Sequence, residues 1–144
     1  MAQFLAKVLS KISVTLVAVS LSFSAYAGSP ETPAQSAIDG QIRAFLADKD
    51  AEAYAFAAPN VRQFFPTVES FMGMVKSGYT PVHRPQDWDF GRTQASPTGG
   101  VMQEVLITDM AGKNWAALYT VEQQSDGVWK ITGVSLKKTD AMTM

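Results

Sequence analysis

The chain has 144 residues, 47% hydrophobic and 17% charged, with 10 Gly and 7 Pro. That is the composition of one ordinary globular domain, and it excludes a disordered charged tail, a collagen-like repeat and a polytopic membrane protein. Twelve Lys and Arg against 13 Asp and Glu leave a net charge of −1, so nucleic-acid binding lacks the cationic excess that drives it. The chain has no Cys and a single His, His83, which excludes disulfides, thiolate zinc, iron–sulfur clusters, a Cys nucleophile and any multi-His metal centre. No metal and no cofactor are expected.

Residues 1–27 read as a secretory signal. Lys7 and Lys11 make a basic start with no acid, Ile12 to Phe23 form an apolar run, and Ala25-Tyr26-Ala27 is a small-x-small cleavage site before Gly28. The run is shorter than the roughly 20 apolar residues that span a bilayer. Ser13, Thr15, Ser20 and Ser22 also interrupt it, which favours cleavage over anchoring. No Cys follows for lipid attachment. Cleavage removes two lysines and no acid, leaving 117 residues with 10 bases and 13 acids. The expectation is a periplasmic or secreted protein without stable membrane anchoring, large enough to bury one core without disulfides.

Residues 28–35 are polar and contain prolines, which suggests a flexible lead-in to a single domain over 36–138, with 139–144 as a tail. Ile38, Ile42, Phe45 and Leu46 fall at i, i+4, i+7 and i+8, one apolar face of a helix ending near Asp48. Asp50 caps a second helix running to Ala58, and Pro59 ends it. Residues 59–66 make one further helical turn. Thr67 caps a third long helix, with Val68, Phe71, Met72 and Val75 on its apolar face and Gly78 as its stop.

Beyond Gly78 the apolar period falls from 3.6 to 2. Tyr79 to Val82 reads as extended, and Trp88 to Gln94 alternates weakly. Val101 to Thr108, Trp115 to Gln123 and Val128 to Leu136 read as strands joined by tight turns, one of them carrying Asp126-Gly127. Helices first and about four antiparallel strands afterwards make a segregated α+β layout. Trp115, Ala117, Tyr119 and Val121 share one face of the sheet, and both faces carry apolar residues. A curved sheet would pack helices on its concave side and something else, such as a second copy in a homodimer, on its convex side. Trp129 and Ile131 are expected on the buried side of the last strand, with Gly133 where another element approaches closely.

Four runs carry a resemblance to a family. They are Ile42-Arg-Ala-Phe45 with Ala53-Tyr-Ala-Phe-Ala-Ala-Pro59; Phe71-Met-Gly-Met-Val75 with Gly78-Tyr79 and Pro81-Val-His-Arg-Pro85; Val105, Asp109 and Gly112; and Asp126-Gly-Val-Trp-Lys-Ile131 with Gly133-Val134. With them, residues 36–136 resemble the uncharacterised bacterial family called domain of unknown function 4864. The resemblance implies a cone-shaped α+β fold of the nuclear-transport-factor-2-like or cystatin-like kind, and no activity. The family pattern more often has an aromatic residue where this chain has His83, so no catalytic role for His83 follows from it.

The densest polar and aromatic run is Tyr79 to Asp89, followed by Arg92. On an enzymatic reading, a small isomerase or lyase would use His83 as base, Asp87 or Asp89 to orient it, and Tyr79 as donor to an oxyanion. The bland reading is a solvated loop in which Trp88 and Tyr79 pack. Pro81 and Pro85 suggest that His83 lies in a stiff, extended surface segment. Arg84 and Arg92 are candidates to grip a carboxylate in bidentate fashion, or else surface cations. Tyr79, Arg84, Trp88 and Arg92 are thus the candidate binding residues. Glu104 points either among the helices or to solvent beside Lys113 or Lys130. Trp115, Tyr119 and Trp129 sit at strand period and read as core. No glycine-rich phosphate loop is present, because Thr98-Gly-Gly100 lies between strands.

The sequence therefore favours an exported, non-catalytic domain that binds a small ligand or an envelope protein. The small enzyme is the alternative, and a structural envelope accessory a third possibility. Protein from the native host is expected to begin at Gly28 and to fractionate outside the cytoplasm. N-terminal sequencing that finds an intact Met1 would refute this.

Overall fold

The computed structural model describes residues 29–139; the expected export segment and residues 140–144 of the tail lie outside the described residues. Five helices come first: α1 (Pro33–Leu46), α2 (Asp50–Ala55), α3 (Pro59–Phe64), α4 (Val68–Gly78) and the single turn α5 (Thr80–His83). Four strands follow: β1 (Pro85–Ala95), β2 (Val101–Asp109), β3 (Asn114–Gln123) and β4 (Trp129–Thr139). They form one antiparallel sheet in the order β1-β2-β3-β4. The α+β layering is the one expected.

Helix α1 starts earlier than the apolar spacing suggests, inside the expected lead-in. Thr32 caps it, its Oγ1 accepting the Gln35 N–H at 3.2 Å, and Pro33 takes a first-turn position where a missing N–H costs nothing. Ala34, Ile38, Ile42 and Phe45 are buried against the sheet, whereas Leu46 is exposed. Gly40 lets α2 approach, since a Cβ there would sit 2.6 Å from the Phe56 ring. Thr67 caps α4 in a reciprocal box with Ser70.

Two expectations after α4 are corrected. Gly78 remains helical and the stop comes at Tyr79. Tyr79 to Val82 is not extended: the chain enters α5, with Pro81 in its first turn, where proline is as much at home as at a strand edge. His83 consequently lies at the end of a helical turn and is buried, not displayed on the surface.

The inner face of the sheet carries Val105, Ile107, Ala117, Tyr119, Val121 and Ile131, all buried. Ile131 is inside as expected, and Trp129 is half-buried, packed against the core beside Phe56 and the start of α1 around Pro33 and Ala37. Gly133 faces outward, where a Cβ would sit 3.0 Å from Thr120 Oγ1. Beyond β4, a parallel bridge between Ala57 and Ile131 brings α3 to the sheet edge, with Ala58 N–H donating to Ile131 O and Ile131 N–H to Phe56 O, each at 2.8 Å. At the β2–β3 hairpin, Asp109 accepts from the Ala111 and Lys113 N–H groups and from Trp115 Nε1. The Trp115 bond, with those backbone donors, holds its carboxyl below the usual range.

Strand β1 is bulged between Phe90 and Thr93. Gln103, fully buried on the inner face of β2, repairs the broken ladder. Its Nε2 donates to Glu104 O at 2.8 Å and to Gly91 O and Arg92 O at 3.3 Å, while its Oε1 accepts from Thr93 Oγ1 and from Gln35 Nε2. Gln103→Leu keeps the volume but orphans these groups. It should cost about 2–4 kcal/mol, the sum of one or two unpaired buried polar groups, as measured by urea unfolding.

Candidate functional site

A cavity of about 240 Å³ lies between the helices and β4. Gln41 and Phe45 of α1, Val61 of α3, Phe71, Met74 and Val75 of α4, Val82 of α5, and Ile131 and Val134 of β4 line it, with Ala57, Phe65, Tyr79 and the Gly133 backbone. Its walls exist because α1 and α4 each turn an apolar stripe to the sheet while the Ala57–Ile131 bridge fixes the start of α3 at the β4 edge. Phe45 and Phe71 stack at 6.2 Å, and Tyr54 packs on Phe71 at 5.3 Å. Tyr54 also ties down the chain after α3, its hydroxyl donating to Phe65 O at 2.6 Å under the Arg62 guanidinium.

Among the described residues, no charged side chain lines this cavity. Its side-chain polar groups are two. The Tyr79 hydroxyl donates to Val134 O at 3.2 Å. Gln41 is only 3% exposed, and its Nε2 donates to Ala53 O at 3.1 Å. Such a cavity can enclose an apolar body and orient it by a few polar contacts.

Of the candidate catalytic and binding residues, only Tyr79 borders the cavity. His83 and the two aspartates are not brought together. His83 packs edge-on against Phe45, ring centroids 5.8 Å apart, among the helices. Trp88 and Phe90 pair with Ile107 and Val105 on the inner face, so alternation sends Asp87 and Asp89 to the opposite face, across from Thr108 and Leu106. The Nε2 of His83 is enclosed and unpaired.

Arg84 is occupied structurally. Its guanidinium donates to Phe45 O and to the Asp48 carboxylate, closing the C-terminal end of α1 where Asp48 takes φ 56°. Trp88 donates to Asp39 Oδ1 at 3.2 Å under the Arg43 guanidinium, which itself pairs with Asp39 at 2.7 Å. Arg92 is exposed in the β1 bulge, and its backbone N–H meets Glu104 Oε1 at 3.4 Å. Glu104 belongs to the outer face, over Gly91. The four candidate binding residues thus occupy separate places.

Gln41 escaped the sequence reading although a signal for it exists. It lies three residues after Ile38 and four before Phe45, on the apolar stripe of α1. Gln103 carried the same kind of signal, as the one polar residue in phase with Val101, Val105 and Ile107. Among the described residues, no group of three His, Asp or Glu is placed to hold a metal ion.

A family model described as domain of unknown function (DUF4864) matches residues 29–144. The chain belongs to this family. No curated protein and no solved structure matches the chain. The family match therefore confirms the resemblance without assigning the DUF4864 domain a reaction or ligand.

Burial lowers the pKa of His83 below its ordinary 6.5, with Arg84 and Lys76 adding to the effect against Asp48 and Asp50. A depressed folded value means that the unfolded chain binds the proton more tightly. The contribution of the neutral ring is complete above about pH 6.5 and is lost as pH falls through the folded value. His83→Phe removes both the unpaired Nε2 and this titration. It should leave stability at pH 7 unchanged or raise it by up to about 1 kcal/mol, and flatten the loss between neutral and mildly acid pH in denaturant unfolding.

Proposed function

We propose that this DUF4864 domain is an exported, non-catalytic binding domain that encloses a small, largely apolar ligand in the cavity between its helices and β4. The observation that carries this reading is the cavity itself, about 240 Å³ with apolar and aromatic walls and one buried carboxamide. An apolar cavity of roughly 150 Å³ suffices to take up benzene, so the volume here suits a ring with a short substituent or a small bicyclic ring. Export is supported by the basic, then apolar, then small-x-small pattern of residues 1–27. A segregated layer of helices on one antiparallel sheet also fits the cone-shaped nuclear-transport-factor-2-like resemblance, a group that includes pocketed domains. The separation of His83 from Asp87 and Asp89 speaks against the enzymatic alternative, because a general base needs its orienting partner within hydrogen-bond reach.

A neutral environment-sensitive dye of small bicyclic size, such as 1-naphthylamine, should bind saturably, with blue-shifted emission. Met74→Trp, which fills the cavity from α4, should weaken that binding by about tenfold or more. A wild-type protein that leaves the dye in water would refute the reading, as would a Met74→Trp variant that binds it unchanged.

A further inference from the structure

The donors and acceptors around the cavity carry the reading one step further, and the step rests on the ligand-binding function proposed above. We propose that the cavity selects uncharged ligands that bring a hydrogen-bond donor, such as phenols, indoles and small aromatic alcohols, over ethers, hydrocarbons and carboxylates of the same shape.

Gln41 decides the polarity of the site. A backbone carbonyl can receive only a donor, so the contact with Ala53 O at 3.1 Å must be made by the carboxamide NH2. The other end, Oε1, is therefore the acceptor, and it has no hydrogen-bond partner among the described residues. It is also not sealed in protein, since the enclosed unpaired side-chain atoms among the described residues are His83 Nε2 and Tyr119 OH. On a residue 3% exposed, the open space that Gln41 borders is this cavity. Oε1 is thus a nearly buried acceptor that meets solvent there when no ligand is bound.

Tyr79 reinforces the same polarity. Its hydroxyl has one proton, committed to Val134 O at 3.2 Å, so what remains for a ligand is lone pairs. Both side-chain polar groups of the cavity wall accept. A ligand O–H or N–H satisfies Oε1 when water leaves. An ether or carbonyl sets acceptor against acceptor, and a hydrocarbon leaves Oε1 desolvated with nothing in return. A carboxylate fares worst, because no cationic side chain lines the cavity to offset its lost hydration. An ammonium finds no carboxylate there either.

The test is competition against the bound dye at pH 7 with p-cresol, 4-methylanisole, toluene and 4-methylbenzoate, which share one apolar body. The expected result is that p-cresol displaces the dye at about tenfold or more lower concentration than 4-methylanisole or toluene, and that 4-methylbenzoate is the weakest of the four. Equal potency of p-cresol, 4-methylanisole and toluene would overturn the selectivity while leaving a ligand-binding cavity in place. A lead for 4-methylbenzoate would overturn it as well. A protein that never takes up the dye would instead refute the binding function itself and the selectivity with it. In Gln41→Leu, the advantage of p-cresol over toluene should disappear while toluene still competes. The wild-type series decides the matter by itself should that variant fail to fold.

Discussion

The structure depends on burying helix α1 on more than its apolar side. Nine of its 14 residues are buried, among them Gln35, Asp39 and Gln41. A polar group taken out of water without a partner is costly, so each of these three side chains must find one. Gln35 reaches Gln103 and through it the bulge of β1. Asp39 takes Trp88 and Arg43, joining the inner face of β1 to the helix layer. Gln41 satisfies one end on Ala53 O and leaves the other open at the cavity. The requirement of pairing therefore locates the helix on the sheet more narrowly than its apolar contacts with Ile38, Ile42 and Phe45 would alone, because hydrophobic contact is non-directional and hydrogen bonds are not.

The unpaired atoms have different meanings. Tyr119 is completely buried at the centre of the sheet, its hydroxyl lacks a partner, and burial pushes its pKa well above the usual phenol value. His83 Nε2 is sealed against the same core. Both are enclosed by protein and reach nothing, so they act as stability costs. Gln41 Oε1 differs because it borders open space, and only a polar atom with such access can take part in recognition. His83, the residue richest in catalytic chemistry by type, therefore has no access to the cavity through Nε2, whereas Gln41 borders it.

Local signals made much of the fold legible. Thr67 followed by the stripe Val68, Phe71, Met72 and Val75 reads directly as the capped helix α4. The alternation in Trp115 to Val121 reads as β3, and Asp126-Gly127 as the β3–β4 turn, with Gly127 at φ 87°. The readings that failed lay where two local rules compete. Pro81 is compatible with a strand edge and with a helical first turn, and burial of Val82 and His83 under α1 settled it as helix. Thr32-Pro33 carried a helix-start signal outweighed by the polar composition around it.

The candidate site was legible in far smaller part, for the same physical reason. Residues close in sequence, Tyr79 to Arg92, look like a site because their chemistry is concentrated, yet period-2 alternation puts Asp87 and Asp89 on the sheet face away from His83. Of that run only Tyr79 and the apolar Val82 reach the cavity, in company with residues as distant as Gln41 and Val134. By itself the sequence determined the class of the fold, most element boundaries and the lack of thiolate or multi-His metal ligands, since these rest on composition and on interactions a few residues long. The tertiary structure alone decided which polar atoms are spent and which stay open. A hydrogen bond such as that of Tyr79 with Val134 depends on how helices and strands meet in space, and no local pattern encodes that meeting.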